Sequence, residues 1–175
     1  MNKLNYIVRT LARTKRKDFE NYVINRIYNE LDDLEIKPNS QQYVKRSENK
    51  YALIDLYFPQ LNIGIECDEY QHEEQKNLDE LRYFDILNAI KSKDEYEEIR
   101  IKVYDRNNED NLRDIEDVNK DINNAVKRIK EKKKNTKDFI PWDMTPDKEK
   151  AIKKGSVVTC TPKSGIRMEG FSHAK

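Results

Sequence analysis

The stretch "YALIDLYFPQLNIGIECDEYQH", Tyr51 to His72, constrains the fold more than any other part of the chain. Two short apolar runs rich in Ile, Leu, Tyr and Phe read as strands, and Pro59 and Asn62 mark a tight turn between them. The spacing predicts a β-hairpin. On its second strand Leu61, Ile63, Ile65 and Cys67 share one face, while Asn62, Gly64, Glu66 and Asp68 share the other. Asp55 lies in the first strand, placed so that the turn can bring it beside Glu66. Three carboxylates, Asp55, Glu66 and Asp68, would then line one wall. Acids this close cannot all stay ionised among apolar strands unless one takes a proton or a cation binds.

The flanking sequence supplies the rest of a fold. Leu4 to Ala12 reads as a short helix and "KDFENYVINRIYNELDD" as a longer one, with Phe19, Val23, Ile27 and Leu31 at helical spacing. Glu20 shares a side of that helix with Ile24, Ile27 and Leu31. There it either joins the acids as a fourth carboxylate or bends out to water or to an arginine. "QQYVKR" reads as a further strand, and Leu78 to about Ile90 as a helix. "EIRIKVYD" alternates as a half-buried strand, and Leu112, Ile115, Val118, Ile122, Ala125 and Ile129 mark a long amphipathic helix. The expected class is α/β, a mixed β-sheet flanked by helices.

Beyond Asp138 the character changes: three of the four glycines and three of the five prolines lie from Pro141 onward. The expected division is a domain over residues 1–138 and, over 139–175, a linker followed by "GSVVTCTP", read as one strand at the start of a further domain. At 175 residues the chain has room for one core with an appendage. No apolar run is long enough to span a membrane, and the basic start lacks the apolar centre of a secretory signal, so a cytoplasmic protein is expected. Cys67 and Cys160 have no spacing that suggests a metal site or a disulfide framework.

Charge is segregated. Met1 to Lys17 holds six basic residues and no acid, Lys127 to Lys137 holds seven basic residues against one Glu, and Gly64 to Asp121 holds 19 acids against nine bases. Basic ends suit phosphate contacts and an acidic middle suits a metal, although solvated helix faces would give the same pattern. Asp55, Glu66 and Asp68 are the expected metal ligands. Their hard oxygens suit Mg²⁺ or Mn²⁺, with waters and a substrate phosphate completing the shell. His72, four residues past Asp68, would stand at the mouth of the cluster as general acid or base, or bind phosphate when protonated.

Asp55, ten residues, Glu66 and then Asp68 across a hairpin resembles the PD-(D/E)XK nuclease pattern. A more specific resemblance is to the PvuRts-type modification-dependent restriction endonucleases. It is carried by "YVINRI" at Tyr22 to Ile27, "LDD" at Leu31 to Asp33, Gln41 and Gln42, "DLYFPQLN" at Asp55 to Asn62, Glu66 to Glu69, His72, and Trp142 with Asp143. The resemblance implies a nuclease domain like that of the very-short-patch repair endonuclease. Its catalytic set would be Glu20, Asp55, Glu66, Asp68 and His72. Its substrate would be double-stranded DNA carrying 5-hydroxymethylcytosine or the glucosylated base, as in phage DNA, cut by a homodimer. In such enzymes a C-terminal SRA-like domain reads the base, and the residues after Asp138 are too few to build one. Asp68 stands where the wider superfamily has its last lysine. An inert DNA-binding or assembly module, or a nuclease acting on RNA or single strands, would fit the same fold.

Overall fold

The computed structural model describes residues 3–14, 17–45, 51–69, 81, 83, 84, 86, 96–108 and 111–142, with the backbone of 157–159 and 167–169. Helix α1 (Lys3–Leu11) runs into a 3-10 turn (Ala12–Thr14) and is followed by α2 (Asp18–Leu31). Then come strands β1 (Asn39–Lys45), β2 (Tyr51–Phe58), β3 (Ile63–Asp68) and β4 (Glu97–Lys102), helix α3 (Ile115–Asn135), and the short strands β5 (Val157–Thr159) and β6 (Arg167–Glu169). The first four strands form one sheet in sequence order. β1 and β3 each run antiparallel to β2, and β4 runs parallel to β3. The chain is therefore α/β with a mixed sheet, and β2 and β3 are the expected hairpin. β5 and β6 pair antiparallel, a hairpin where the sequence suggested a single strand. Leu81, Tyr83, Phe84 and Ile86 are helical within the helix expected from Leu78 to Ile90, whose other residues lie outside the described ones.

β3 is buried along its whole length because both faces of the sheet are covered. On one side Leu56, Phe58, Ile63, Ile65, Cys67 and Ile101 pack against Val23, Ile24, Ile27 and Leu31 of α2, and against Val118, Ile122, Ala125, Val126 and Ile129 of α3. On the other, Val44, Ala52, Ile54 and Tyr57 meet Ile86 and Tyr96. Each large side chain so buried is worth about 1.5–3 kcal/mol of transfer free energy, enough for two helices and a sheet to hold one another. The inner face of α2 departs from the sequence pattern. Phe19 is 42% exposed and Glu20 only 4%, so the helix is rotated to present an acid, not an aromatic ring, at the top of its buried stripe.

Helix α3 begins at Ile115, later than the apolar stripe suggested, because Asp114 caps it by accepting from the Glu116 amide at 2.8 Å. Leu112 instead bridges Tyr104. Acids in the first turn and lysines in the last both favour the helix dipole. Much of the basic run is tied back to the body: Lys133 reaches Asp33 at 2.6 Å and Glu35 at 2.7 Å, and Arg128 pairs with Glu97 at 2.6 Å. No helix among the described residues is long and apolar enough to cross a membrane.

The chain keeps packing past Asp138. Phe139 lies against the core, and Gln60 Nε2 donates to the Ile140 carbonyl at 2.7 Å. The Trp142 amide donates to the Glu35 carbonyl at 2.8 Å, and its ring meets Tyr6 edge-on at 5.0 Å. Lys3 lies over the Trp142 ring and Lys37 over both rings.

The outward face of β3 is shaped by Gly64. A Cβ there would overlap the Tyr96 hydroxyl and lie 2.9 Å from its Cζ and 3.1 Å from Ile54 Cγ2. Alanine normally favours a strand over glycine, but here overpacking decides the sign. Gly64→Ala is expected to destabilise the protein by about 1–3 kcal/mol, read as a lower urea midpoint at unchanged m-value.

Candidate active site

Both ladders that β2 makes are interrupted at one residue. On the β1 side Ser40 pairs with Leu56 and Gln42 with Ile54, and the step between, Gln41 with Asp55, is missing. On the β3 side the ladder runs from Phe58–Ile63 to Leu56–Ile65 and stops one step short of bringing Asp55 opposite Glu66. Gln41 has φ of 52°, a left-handed conformation that costs a non-glycine residue in mid-strand on the order of 1 kcal/mol or more. The strand twists as a result: Ile54 belongs to one core and Leu56 to the other. Asp55 fills the opening, its Oδ2 accepting from the Cys67 backbone N–H at 2.9 Å.

Helix α2 delivers Glu20 to the same opening. Gln41 Nε2 donates to Glu20 Oε1 and, at 3.4 Å, to Asp55 Oδ1, so the strained residue bridges the two acids. Lys17, just before α2, donates to Glu20 Oε2 at 2.7 Å and to Gln41 Oε1 at 3.5 Å. Burial and the charge of Asp55 push the Glu20 carboxyl up to about 7, against the opposing pull of Lys17. Hydrogen bonding toward Asp55 works in the same direction, so Glu20 keeps its proton to about neutral pH. Burial works to lower the Lys17 pKa. Its hydrogen bond to Glu20 and the charges of Glu20, Asp55 and Glu69 outweigh that, so the ammonium is held above its ordinary value. Cys67, between the acids, is pushed up by its burial and their charges and stays a thiol.

Glu66 and Asp68 lie on the next strand, buried at 3% and 7% exposure. The β3–β4 register sets Glu66 against Arg100 and Asp68 against Lys102. Arg100 grips Asp68 through Nε at 3.0 and 3.1 Å and through a terminal nitrogen at 2.6 Å, and extends its other nitrogen to Glu98 at 2.9 Å. Hydrogen bonding to Asp68, aided by the charges of Asp68, Glu98 and Glu66, holds the guanidinium well above its usual range. Asp68 is thus the carboxylate partner of a fixed arginine.

Of these acids, Asp55 meets Glu20, and Asp68, two residues beyond Glu66 on β3, meets Arg100. Among the described residues no three His, Cys, Asp or Glu side chains are gathered as a metal cage. The Glu20–Asp55 pair nevertheless fits a hard divalent cation. Two buried carboxylates whose charges repel are a donor set whose repulsion such a cation relieves, and Mg²⁺ commonly takes only one or two carboxylates beside water and phosphate. His72 lies outside the described residues. Sequence reasoning missed Gln41, whose unusual backbone has no sequence signature, and Arg100, whose strand gave no sign of facing β3's acids. It also missed Lys17, hidden in a basic run.

Residues 4–158 match a family model described as restriction endonuclease PvuRts1 I-like, N-terminal. Among solved structures the chain is similar to the 5-hydroxymethylcytosine-specific restriction enzyme AbaSI, with 32% identity and a TM-score of 0.62. The likeness covers 81% of this chain and 51% of that one, so the chain spans about half the length of that enzyme. No curated protein gives a match.

The proton that Glu20 keeps makes a prediction about pH. The folded-state pKa of Glu20 is raised from 4.5 to about 7, so the folded protein holds this proton where the unfolded chain has released it. Its stability contribution is full below about pH 4.5 and is lost as pH rises through 7. Glu20→Gln cannot ionise. In chelator-containing buffer its stability relative to the parent chain should rise between pH 5 and 8 by about 1–3 kcal/mol, measured by urea unfolding across that range.

Proposed function

The chain belongs to the PvuRts1 I-like restriction endonucleases, as their N-terminal domain, and from that premise we propose that it hydrolyses phosphodiester bonds of double-stranded DNA with the help of a divalent metal ion at the opening of the sheet. The observation that carries this reading is the buried contact between Glu20 and Asp55, where both ladders of the central hairpin strand break. Asp55, with Glu20 beside it and Glu66 one register step across, would hold Mg²⁺ or Mn²⁺. Asp68, if it joined them, would share its carboxylate with Arg100. A bound cation supplies an acidified water and neutralises charge on the phosphoryl oxygens.

The chain's own groups do the positioning. The Cys67 N–H and the Gln41 amide fix the Asp55 oxygens, and Gln41 and Lys17 fix those of Glu20. Carboxylates held this way need little rearrangement when a cation binds. His72 is assigned to proton transfer near the scissile phosphate. The preferred substrate is duplex DNA carrying 5-hydroxymethylcytosine, by likeness to AbaSI, and its role is restriction of modified phage DNA. Reading of the base is assigned to an SRA-like partner domain, not to this nuclease body, and cutting both strands to a pair of copies. Affinity for the duplex should then rest on Lys and Arg contacts and fall steeply with salt. A second reading, an inert DNA-binding module, draws on one observation, the capture of Asp68 by Arg100.

Nicking of hydroxymethylated plasmid and Mn²⁺ calorimetry separate the two. Asp55→Asn is the informative substitution, because its amide oxygen can still accept from Cys67 N–H, which alanine would leave buried without that acceptor. The parent chain is expected to bind Mn²⁺ and nick, and Asp55→Asn to lose nicking by about 10³-fold or more with weakened Mn²⁺ binding. A parent chain that binds DNA but neither Mn²⁺ nor nicks would establish the inert module.

A further inference from the structure

The strand position at which the wider superfamily carries a lysine is Asp68 here, and its neighbouring cation, Arg100, is committed to Asp68 and Glu98. The cation that faces the Glu20–Asp55 pair comes instead from another element. Lys17 immediately precedes α2 and reaches its Nζ to 2.7 Å from Glu20 Oε2 and 3.5 Å from Gln41 Oε1. Its charge is felt together with those of Asp55 and Glu69, so it faces acids from α2, from β2 and from just past the end of β3. Its side chain is half exposed, whereas that of Glu20 is 5% exposed, so the ammonium stands on the solvent side of the buried acids.

An ammonium has three donors on a flexible stem. Two of them meet Glu20 and Gln41, and no other described residue is bonded to this ammonium, which leaves a donor for a ligand arriving from solvent. A phosphate that reaches the Glu20–Asp55 pair from that side meets this donor.

We propose that Lys17 is the catalytic cation of this site, placed at the start of α2 and not on β3, where it binds a non-bridging oxygen of the scissile phosphate. The proposal rests on the nuclease reading above. In the reaction a water oxygen bonds to phosphorus as the bond from phosphorus to one sugar oxygen breaks. The water gives up a proton and the departing oxygen takes one, transfers that fall to His72 and solvent. Lys17 transfers nothing. It stabilises the negative charge that builds on the phosphoryl oxygens between those events, a kind of contribution worth about 10²–10³ in rate when one preset donor is removed.

The test compares Lys17→Met, Lys17→Arg and the parent chain in three measurements: single-turnover nicking at saturating duplex, duplex affinity in Ca²⁺ without turnover, and Mn²⁺ calorimetry without DNA. Lys17→Met is expected to lose about 10²-fold or more in the nicking rate, to bind duplex within about threefold of the parent, and to bind Mn²⁺ no more weakly. Lys17→Arg should recover at least about tenfold of the lost rate, since it restores the charge with different geometry. If the methionine variant does not fold, Lys17→Gln serves in its place. Unchanged nicking in a folded Lys17→Met overturns the proposal while leaving the nuclease reading intact. Weakened Mn²⁺ binding would make Lys17 a prop for Glu20, and weakened duplex binding at an unchanged rate would make it one phosphate contact among many. Either result overturns the proposal. A parent chain that fails to bind Mn²⁺ and to nick overturns the nuclease reading and this inference together.

Discussion

Two carboxyl groups whose charges repel are pressed together where the central sheet stops pairing. Most of the described structure can be traced to that constraint. Glu20 is carried to the spot by the most buried face of α2, and Asp55 by the one step of β2 that has no ladder partner on either side. Placing them there has costs: a left-handed glutamine in mid-strand, a proton retained to near neutral pH, and a strand whose alternation switches between two cores. Burial of Ile, Val and Phe on both sides of β2 and β3 offsets those costs.

What the sequence disclosed, and what it hid, follows from the range of the interactions. The hairpin, the turn at Pro59–Asn62 and the shared face of Glu66 and Asp68 are local consequences of a period of two, and all could be read directly. So could the side of α2 on which Glu20 lies. Phe19 illustrates the limit: two adjacent residues compete for the inner stripe of a helix, and only the packing of α2 on α3 and the sheet decides that Glu20 turns in. Arg100 and Lys17 were hidden because each finds its acid across more than local distance or within a run of like charges, and nothing in a strand's alternation says which cation will reach across. Gln41 was hidden for a different reason. Its role depends on a backbone angle that glutamine does not advertise.

The charge pattern along the chain needs a similar correction. Arg128, Lys132 and Lys133 look like an open basic surface in the sequence, yet they meet Glu97, Asp33 and Glu35. A charge run predicts an electrostatic surface only after its internal partners have been subtracted. Such exposed pairs contribute little stability one by one, but they hold the end of α3 against the turn after α2 and against β4.

The packing of Trp142 sets a datum point for the rest of the chain. Because its amide is bonded to Glu35 and its ring lies against Tyr6 beneath two lysines, the path of the polypeptide is fixed relative to the carboxylates as far as residue 142. Whatever reach the following residues have is measured from there, not from the end of α3. Loosening the aromatic contact would free that anchor point without touching the carboxylates.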